Sequence, residues 1–444
     1  MASPPLDSVN MPPEPSPAAE SISAPPLVKS AADLKRMMFL ISVGLFITAA
    51  GQPGVIGALP FRFLFKNQFH WDAAQQANFF AIATFAWYFK PLAGLLCDSF
   101  PLFGTRRRAY MIISSVGAGV CWVLFAFAPK TYTNFFWLMI VLNAMMVIMS
   151  TVIGGMLVEA GQEGGATGRL ASVRYAIDNI ISVIVGPLGG WLAARAFGLT
   201  AGIGAFLLFA MVPITVFFLK EPRTATVNTQ VWRNAAVQFR TILRSGTMWA
   251  AAVLLFFVFI APGFGTALTY YQTDVLHFST EFIGMLGAFG GIGGIIATAL
   301  YAYYCRKLSL KPLLIIGILL NAASSMLYLW YHSRNLAIAI DFSNGFFAVL
   351  GVLPLFDLAA RATPHGSESF GYALLMSVYN IAVFAVSNPL GSWLYELKLP
   401  FWHHNLTSLV WLNTATSLIA LLLIPFLPHV LLNRREGETT IEPA

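Results

Sequence analysis

Residues 89–108 read FKPLAGLLCDSFPLFGTRRR, and this stretch indicates the fold more strongly than any other in the chain. An apolar segment ends in a Gly-x-x-x-Asp pattern, and three consecutive arginines follow a short turn before the next apolar segment begins. A tight, positively charged loop between two apolar helices is typical of the cytoplasmic side of a membrane protein. Asp98 can pair with the arginines or with the N-terminus of a helix. The stretch therefore predicts two membrane helices joined by a cytoplasmic loop.

The composition extends this prediction to the whole chain. Its 444 residues are 57% hydrophobic and only 10% charged, whereas a soluble protein carries about 25% charged residues. Apolar runs of about 18 residues or more recur along the chain, and each can cross a bilayer as a helix. We therefore predict an all-α integral membrane protein with twelve spans. The predicted spans are 37–60, 73–97, 109–129, 134–158, 170–194, 198–219, 247–272, 281–304, 312–331, 336–359, 370–395 and 405–430.

The distribution of lysine and arginine predicts the orientation. If the N-terminus is cytoplasmic and the spans alternate, 19 basic residues lie inside and 6 outside, which together with Lys90 inside a span accounts for all 26. Basic residues favour cytoplasmic loops. We therefore expect both termini to be cytoplasmic, in the plasma (inner) membrane if the source is bacterial. The net charge of +7 follows from this topology and does not indicate nucleic-acid binding.

The chain has the pattern of a duplication. The stretch 186–192, GPLGGWL, in the fifth predicted span matches NPLGSWL at 388–394 in the eleventh. The longest internal polar stretch divides the chain near its middle. Parallel repeats of this kind place a binding site at their interface, near the middle of the membrane. We predict a disordered cytoplasmic tail at 1–36, six-helix bundles at 37–219 and 247–430, a cytoplasmic linker at 220–246 and a cytoplasmic tail at 431–444.

Ionisable residues inside the predicted spans indicate a substrate site, because each costs about 2.5–3.5 kcal/mol or more in the membrane. Arg174 and Asp178 are four residues apart on one helix face, and the second half has no charge at the corresponding positions. The alternatives are an ion pair that only neutralises itself, a snorkelling side chain for Lys90 and a water-exposed helix end for Asp341. We predict substrate contacts from Lys90, Arg174, Asp178, Asp341 and Asn344.

A second set of charges lies at the predicted cytoplasmic ends of the spans and indicates a gate. In a duplicated bundle the second and eleventh spans are neighbours, so Asp98 should lie against the N-terminus of the eleventh span. Glu159 can pair with Arg169 or with the three arginines, although a solvated loop is the alternative. The predicted gating residues are Asp98, Arg106, Arg107, Arg108, Glu159, Arg169 and Glu368.

No pattern in the chain indicates an enzyme. The seven histidines fall at predicted loops or span ends, the three cysteines lack metal-ligand spacing, and no nucleotide-binding loop or catalytic triad spacing occurs. We therefore expect no metal and no cofactor. Any proton coupling would depend on carboxylates.

The loop after Asp98 resembles the Gly-x-x-x-Asp-Arg-x-Gly-Arg-Arg/Lys loop of major facilitator transporters, but it is longer. Gly104 follows Asp98 by six residues, where the usual glycine follows by three. This longer form, with Lys-Pro ahead of it, resembles the folate–biopterin transporter family. The segments 158–172 and 362–380, the second of which ends in ALLMSVYN, are also similar to that family.

This resemblance implies a major facilitator fold and transport of folates, pterins or a related metabolite, driven by protons. Arg174 and Lys90 would meet the carboxylates of a folate-like ligand, and Asp178 or Asp341 would accept hydrogen bonds from its ring. Two alternatives stay open: a facilitator for another cargo, such as a muropeptide or a drug, and a non-transporting membrane receptor. We expect a monomer in the lipid bilayer, with a small molecule and protons as its partners.

Overall fold

The computed structural model of the protein describes residues 31–163, 167–221, 230–305, 307–364, 368–397, 406–428 and 432. Within these ranges the regular elements are helices, apart from an isolated bridge between Leu102 and Thr105. The helices are α1 (Ala31–Ala50), α2 (Ala58–Gln68), α3 (Ala73–Ala83), α4 (Lys90–Ser99), α5 (Arg108–Phe127), α6 (Tyr132–Glu163), α7 (Thr167–Ala193), α8 (Phe197–Phe218), α9 (Gln230–Arg244), α10 (Gly246–Phe259), α11 (Gly265–Tyr270), α12 (Thr280–Tyr304), α13 (Leu310–Met326), α14 (Arg334–Ala362), α15 (Glu368–Asn380), α16 (Asn388–Glu396) and α17 (Leu406–Ile419). Short 3-10 or π-helical segments extend several of them: Phe85–Phe89, Tyr271–Val275, Leu327–Trp330, Ile381–Ser387 and Ala420–Phe426.

Judged by helix length and composition, the described residues contain fewer membrane spans than the predicted twelve. The described residues contain nine helices that are long and apolar enough to cross a membrane, or eleven if each of two bent pairs is one span. The first predicted span is the short one, because its described apolar helix runs only over Met38–Ala50. The seventh is interrupted after α10, which ends three residues before Pro262. Proline cannot continue a helix because it lacks an N–H donor.

The second span is broken in its middle. A 3-10 turn, Phe85–Phe89, separates α3 from α4, and the two helices are bent by 41°. Pro91 stands in the first turn of α4, where a missing N–H breaks no helical hydrogen bond. A break of this kind leaves backbone N–H and C=O groups without helical hydrogen-bond partners. Inside the membrane other protein groups bind them, because water is absent there.

Each half of the chain has its own core; residues 31–221 are termed the first half and residues 230–432 the second half. One buried apolar cluster extends from Leu40 to Leu219, and two others lie between Ile242 and Leu432. Among the described residues, the buried members of each cluster belong to one half, although Leu59 and Phe63 of α2 pack against one cluster of the second half. Halves whose buried side chains are separate can rotate against one another with little change to their interiors.

The two repeat stretches make equivalent contacts. Gly189 of α7 lies near the carbonyl oxygen of Ile56, just beyond α1, and Gly391 of α16 packs on the backbone of Gly263, just beyond α10. The tryptophans two residues later are 40% and 53% exposed, as expected for side chains that face lipid. Corresponding glycines of the fifth and eleventh spans therefore both lie near the segment that follows the first helix of their own half.

The halves meet along two seams, one between α7 and α12 and the other between α3 and α16. At the first seam the helices touch through glycines. A Cβ atom at Gly190 would lie 2.5 Å from the carbonyl oxygen of Thr280, and one at Gly284 would lie 2.5 Å from that of Gly186. Only glycine permits such an approach, because any larger residue would push the two backbones apart. A substrate site can therefore lie between the halves, where the two seams do not bring the helices together.

Candidate functional site

A network of polar contacts joins the two halves at one end of the molecule. This end is termed the outer end, and the end with the three arginines the inner end, after the predicted orientation. Arg62 of α2 donates to the Thr269 hydroxyl (2.7 Å) and the Gly265 carbonyl oxygen (3.3 Å). Lys66, one turn later, donates to Asp274 and forms an ion pair with it. A helix of the first half is thereby held against the seventh span.

The start of α3 contributes further contacts to the same end. Asp72 and Gln75 form a capping box, with Gln75 N donating to Asp72 Oδ1 at 2.7 Å. The next amide, of Ala73, donates to Glu396 at the end of α16 (3.1 Å). This carboxylate lies at the positive end of the helix, where it is favoured. These contacts show that the outer end is closed.

Gln76 and Tyr270 complete the closure in a buried position. The Gln76 amide donates to the Tyr270 hydroxyl and to the Arg62 carbonyl oxygen, and the Tyr270 hydroxyl donates to the carbonyl oxygen of Trp71. We call the contacts among these residues the outer network. Its members are Arg62, Lys66, Trp71, Ala73 and Gln76 of the first half and Gly265, Thr269, Tyr270, Asp274 and Glu396 of the second.

A polar cluster lies at the break in the second span. Lys90 donates to the Ser150 hydroxyl of α6 (3.1 Å) and lies 5.5 Å from the ring centre of Trp87. The Trp87 indole N–H donates to Asn143 (2.9 Å). The carbonyl oxygen of Trp87 accepts from the Asn380 amide of α15 (3.1 Å). The broken helix therefore presents a cation, an aromatic ring and a backbone group where the two halves meet.

Asp178 faces the space between the halves. Residues of an α-helix turn by about 100° each, and Ile180 and Ile184, which are 42% and 50% exposed, mark the lipid side of α7. Asp178 is also exposed, but it points about 140° away from that side. It lies between Val185, which is buried in the first half, and Ser182, which packs close to α12. Asp178 as a substrate contact stays a prediction.

Asp341 and Asn344 lie in the second half, in a hydrogen-bonded group of their own. The Asp341 carboxylate accepts from the hydroxyls of Tyr328 (3.0 Å) and Tyr331 (2.6 Å), and Tyr331 accepts from the amide of Gln272 (2.7 Å). Asn344 accepts from Ser324 at 3.2 Å. The contacts described for these residues are within the second half, whereas those of Lys90 with Ser150 and Trp87 are within the first.

The arginine loop at the inner end is anchored by a residue that was not predicted. The backbone amides of Arg106, Arg107 and Arg108 each donate to the Glu221 carboxylate at 3.0 Å. Glu221 thereby satisfies free N–H groups at the start of α5, where negative charge is favoured. Arg108 also donates to the Val216 carbonyl oxygen (3.1 Å). These contacts are internal to the first half.

Several predicted site residues have side chains outside the part of the chain that the structure describes. The backbone helices that carry them are given above, and their roles as substrate or gating residues stay predictions. These residues are Asp98, Glu159, Arg169, Arg174 and Glu368.

The outer network and Glu221 were not predicted from the sequence. Arg62 and Lys66 were used only to predict orientation, since nothing local indicates which distant residues they contact. Gln76 gave a usable signal, because a side chain with two polar groups inside an apolar span needs a partner. Trp87 and Asn143 gave a similar signal, since an indole N–H and an amide inside a membrane seek each other.

Comparisons with known proteins agree with this architecture. The family model of the BT1 family matches residues 54–442. The folate-biopterin transporter of Synechocystis sp. is 29% identical over 401 residues, covering 84% of this chain and 78% of that protein. The probable folate-biopterin transporter 2 of Arabidopsis thaliana is 26% identical over 383 residues, covering 80% and 76%. Folate transporter 2 of Plasmodium falciparum is 23% identical over 391 residues, covering 84% and 85%.

Solved structures show the fold. A crystal structure of a D-xylose–proton symporter superposes with a TM-score of 0.66 at 16% identity, covering 92% of this chain and 100% of that one. The nucleoside transporter NupG superposes with a TM-score of 0.64 at 11% identity, covering 89% and 98%. The chain therefore has the major facilitator fold.

Proposed function

Because the chain belongs to the BT1 family, a family of membrane transporters, we propose that it carries a folate- or pterin-like organic anion and couples this transport to protons. The protein is a multi-pass membrane protein and a secondary transporter of a small molecule, and it is not an enzyme. The names of its relatives favour the folate and pterin class over a muropeptide or a drug.

The observation that supports an anionic, aromatic cargo is the cluster around Lys90. A lysine inside a membrane span is costly and is kept where it pairs or binds a substrate. Lys90 is held by Ser150 and lies by the face of Trp87. A cargo with carboxylates and a flat ring would place the carboxylate at the ammonium and the ring against the indole.

Two further residues complete the proposed substrate site. Asp178 faces the same central space from α7, and Arg174 precedes it by one turn of that helix. In our proposal Arg174 binds a second carboxylate, and Asp178 accepts from the amino or amide groups of the ring. Asn380, which bonds the backbone at Trp87, links this site to the second half, so that binding can favour one arrangement of the halves over the other.

Proton coupling is proposed for Asp341. Its carboxylate lies inside α14 and accepts from two tyrosine hydroxyls. A protonated Asp341 would itself become a donor, and at least one of these hydrogen bonds would have to rearrange. Because Tyr328 and Tyr331 follow α13, proton uptake would alter the packing of α13 against α14. Asn344, bonded to Ser324 between the same helices, would respond to that movement and to a cargo beside it.

The remaining features complete an alternating-access scheme. The outer network closes the outer end in this structure, and the inner end carries the proposed gate of Asp98, the three arginines, Glu159, Arg169 and Glu368. We further propose that both termini are cytoplasmic, that the two bundles are 37–219 and 247–430 with a linker at 220–246, and that the protein works as a monomer.

Transport into liposomes tests this function. Purified protein is reconstituted, and counterflow of labelled folate, biopterin, a muropeptide and a cationic drug is compared. The proposal expects folate or biopterin to exchange and the others not to, with uptake stimulated by an inward proton gradient. Exchange of the muropeptide or drug alone would replace this cargo with the alternative. The absence of exchange for every compound, from a folded preparation, would contradict a folate or pterin carrier.

A further inference from the structure

The helix α9 lies across the inner end of the molecule rather than through the membrane. It runs over Gln230–Arg244 and is bent by 76° from α10, the first part of the seventh span. It packs against α4 of the first half and α15 of the second, and Phe239 meets the ring of Phe370 edge-on at 6.5 Å. A helix with this direction at the end of a membrane bundle lies near the plane of the lipid head groups.

At about 100° per residue, the described side chains of α9 fall on four sides of the helix. Ala235 and Ile242 are buried and face the protein. The next side is apolar but exposed, with Trp232, Phe239 and Leu243 at 40%, 44% and 47% exposure and Ala236 at its edge. The side after that carries three exposed arginines, Arg233, Arg240 and Arg244. The fourth side carries Val237 and Thr241, both exposed.

This order of faces fits a helix at the edge of a bilayer. Amphipathic helices that lie in the interface carry Trp, Phe and Leu on one side and Lys or Arg on the polar side. The apolar face of α9 also continues a surface that already meets lipid, because Leu92 and Leu96 of the neighbouring α4 are 47% and 46% exposed on one side of a membrane span. An aqueous surface would leave the aromatic side chains of α9 in water.

We propose that α9 binds the bilayer surface, with Trp232, Phe239 and Leu243 among the acyl chains and Arg233, Arg240 and Arg244 on the phosphates of anionic phospholipids. Arginine suits this partner, because its planar guanidinium donates two parallel hydrogen bonds to phosphate oxygens. Since α9 touches both α4 and α15, the bound lipid also supports the junction of the two halves. This binding does not depend on the cargo.

Two matched cysteine variants of the full-length protein test the proposal. Ala236→Cys lies on the apolar face, and Thr241→Cys lies about 140° further round the helix, on the exposed side away from it. The native cysteines Cys97, Cys121 and Cys305 are buried, so a fluorescent label reacts with the introduced thiol. Each labelled protein is reconstituted in phosphatidylcholine vesicles with and without phosphatidylglycerol, and quenching by aqueous iodide and by spin-labelled lipid is measured.

The expected result is a label at position 236 that spin-labelled lipid quenches and iodide does not, with the reverse at position 241. Phosphatidylglycerol should increase the protection of the label at position 236 from iodide. The triple variant Arg233→Gln, Arg240→Gln and Arg244→Gln should remove that increase. When all three arginines are present, added salt should weaken the effect of phosphatidylglycerol by screening the charges. This measurement tests the role of the charges without a substitution. Equal iodide access at both positions, as for a surface reserved for a soluble partner, would overturn the proposal. A response indifferent to phosphatidylglycerol and to salt would overturn the assignment of anionic lipid.

Discussion

Lys66 of α2 and Asp274, in the π-helical segment after α11, form an ion pair that joins the two halves of the molecule at its outer end. Their side chains are 21% and 51% exposed, so water screens the pair and limits its contribution to about 0.2–1 kcal/mol. An interaction of this size can bias an equilibrium between two states without fixing the protein in one of them. The outer network can therefore form and break reversibly.

Breaking this pair should favour opening of the outer end. Lys66→Gln removes the charge attraction, and we expect the population open to the outside to rise by up to about fivefold, the factor that corresponds to 1 kcal/mol. A thiol reagent that reaches a cysteine in the central space only from outside measures this population. The charge swap Lys66→Asp with Asp274→Lys should restore closure. Unchanged labelling in Lys66→Gln would show that the pair has no part in it.

A larger residue at the glycine seam should hinder closure. Gly190→Val would drive side-chain atoms into the backbone at Thr280, and overpacking of this kind costs about 1–3 kcal/mol, or roughly a tenfold loss of transport. Gly202→Val in α8 is the matched control, because a Cβ atom there has no neighbour within 4 Å. Equal transport by the two variants, at equal expression, would mean that α7 and α12 do not need this approach.

Removal of the Asp341 charge should uncouple substrate transport from the proton gradient. Asp341→Asn keeps the size of the side chain but cannot take up and release a proton, so we expect loss of gradient-driven accumulation with counterflow at equal pH retained. Tyr331→Phe, which removes one donor to the carboxylate, should move the pH dependence of accumulation without abolishing it. Concentrative uptake by Asp341→Asn that still follows the proton gradient would contradict this role.

The Glu221 contact should stabilise the first half. Glu221→Gln loses the negative charge at the start of α5 and at least one of its accepted hydrogen bonds, which we expect to cost about 1–2 kcal/mol. Thermal unfolding in detergent should begin a few degrees lower than in the parent protein, while Lys220→Gln, an exposed neighbour, should unfold as the parent does. A melting curve of Glu221→Gln identical to that of the control would mean that the loop is held by other contacts.

The fold could be predicted because membrane spans are local features of a sequence. The apolar runs and the bias of basic residues indicated a multi-pass helical protein, whereas the duplication suggested by GPLGGWL and NPLGSWL stays a prediction. The break in the second span was not predicted, because FAWYF at 85–89 is apolar whether it forms an α-helix or a 3-10 turn. The first and seventh spans were overestimated for the same reason, since hydropathy does not show where a helix ends.

The candidate site was predicted only in part. Lys90 and Asp178 were selected because charge in a membrane is costly, and both lie within helices of the predicted second and fifth spans. The contacts that join the halves, such as Arg62 with Thr269, link residues about two hundred positions apart. No local pattern encodes such a pairing, because it arises only when two separately packed halves meet. Glu221 was missed since it follows a span as an ordinary polar residue and becomes a cap only once α5 and α8 pack together.

The binding of an anionic cargo at Lys90 is the central claim, and counterflow in liposomes tests it most directly. Labelled folate and biopterin are compared in the parent protein, in Lys90→Gln and in Lys311→Gln, an exposed lysine at the inner end. We expect Lys90→Gln to lose folate exchange by tenfold or more, roughly the effect of losing one charge-assisted hydrogen bond. It should lose less of the exchange of biopterin, which carries no carboxylate, and Lys311→Gln should match the parent. Folate exchange by Lys90→Gln equal to that of the parent would show that Lys90 does not bind the cargo.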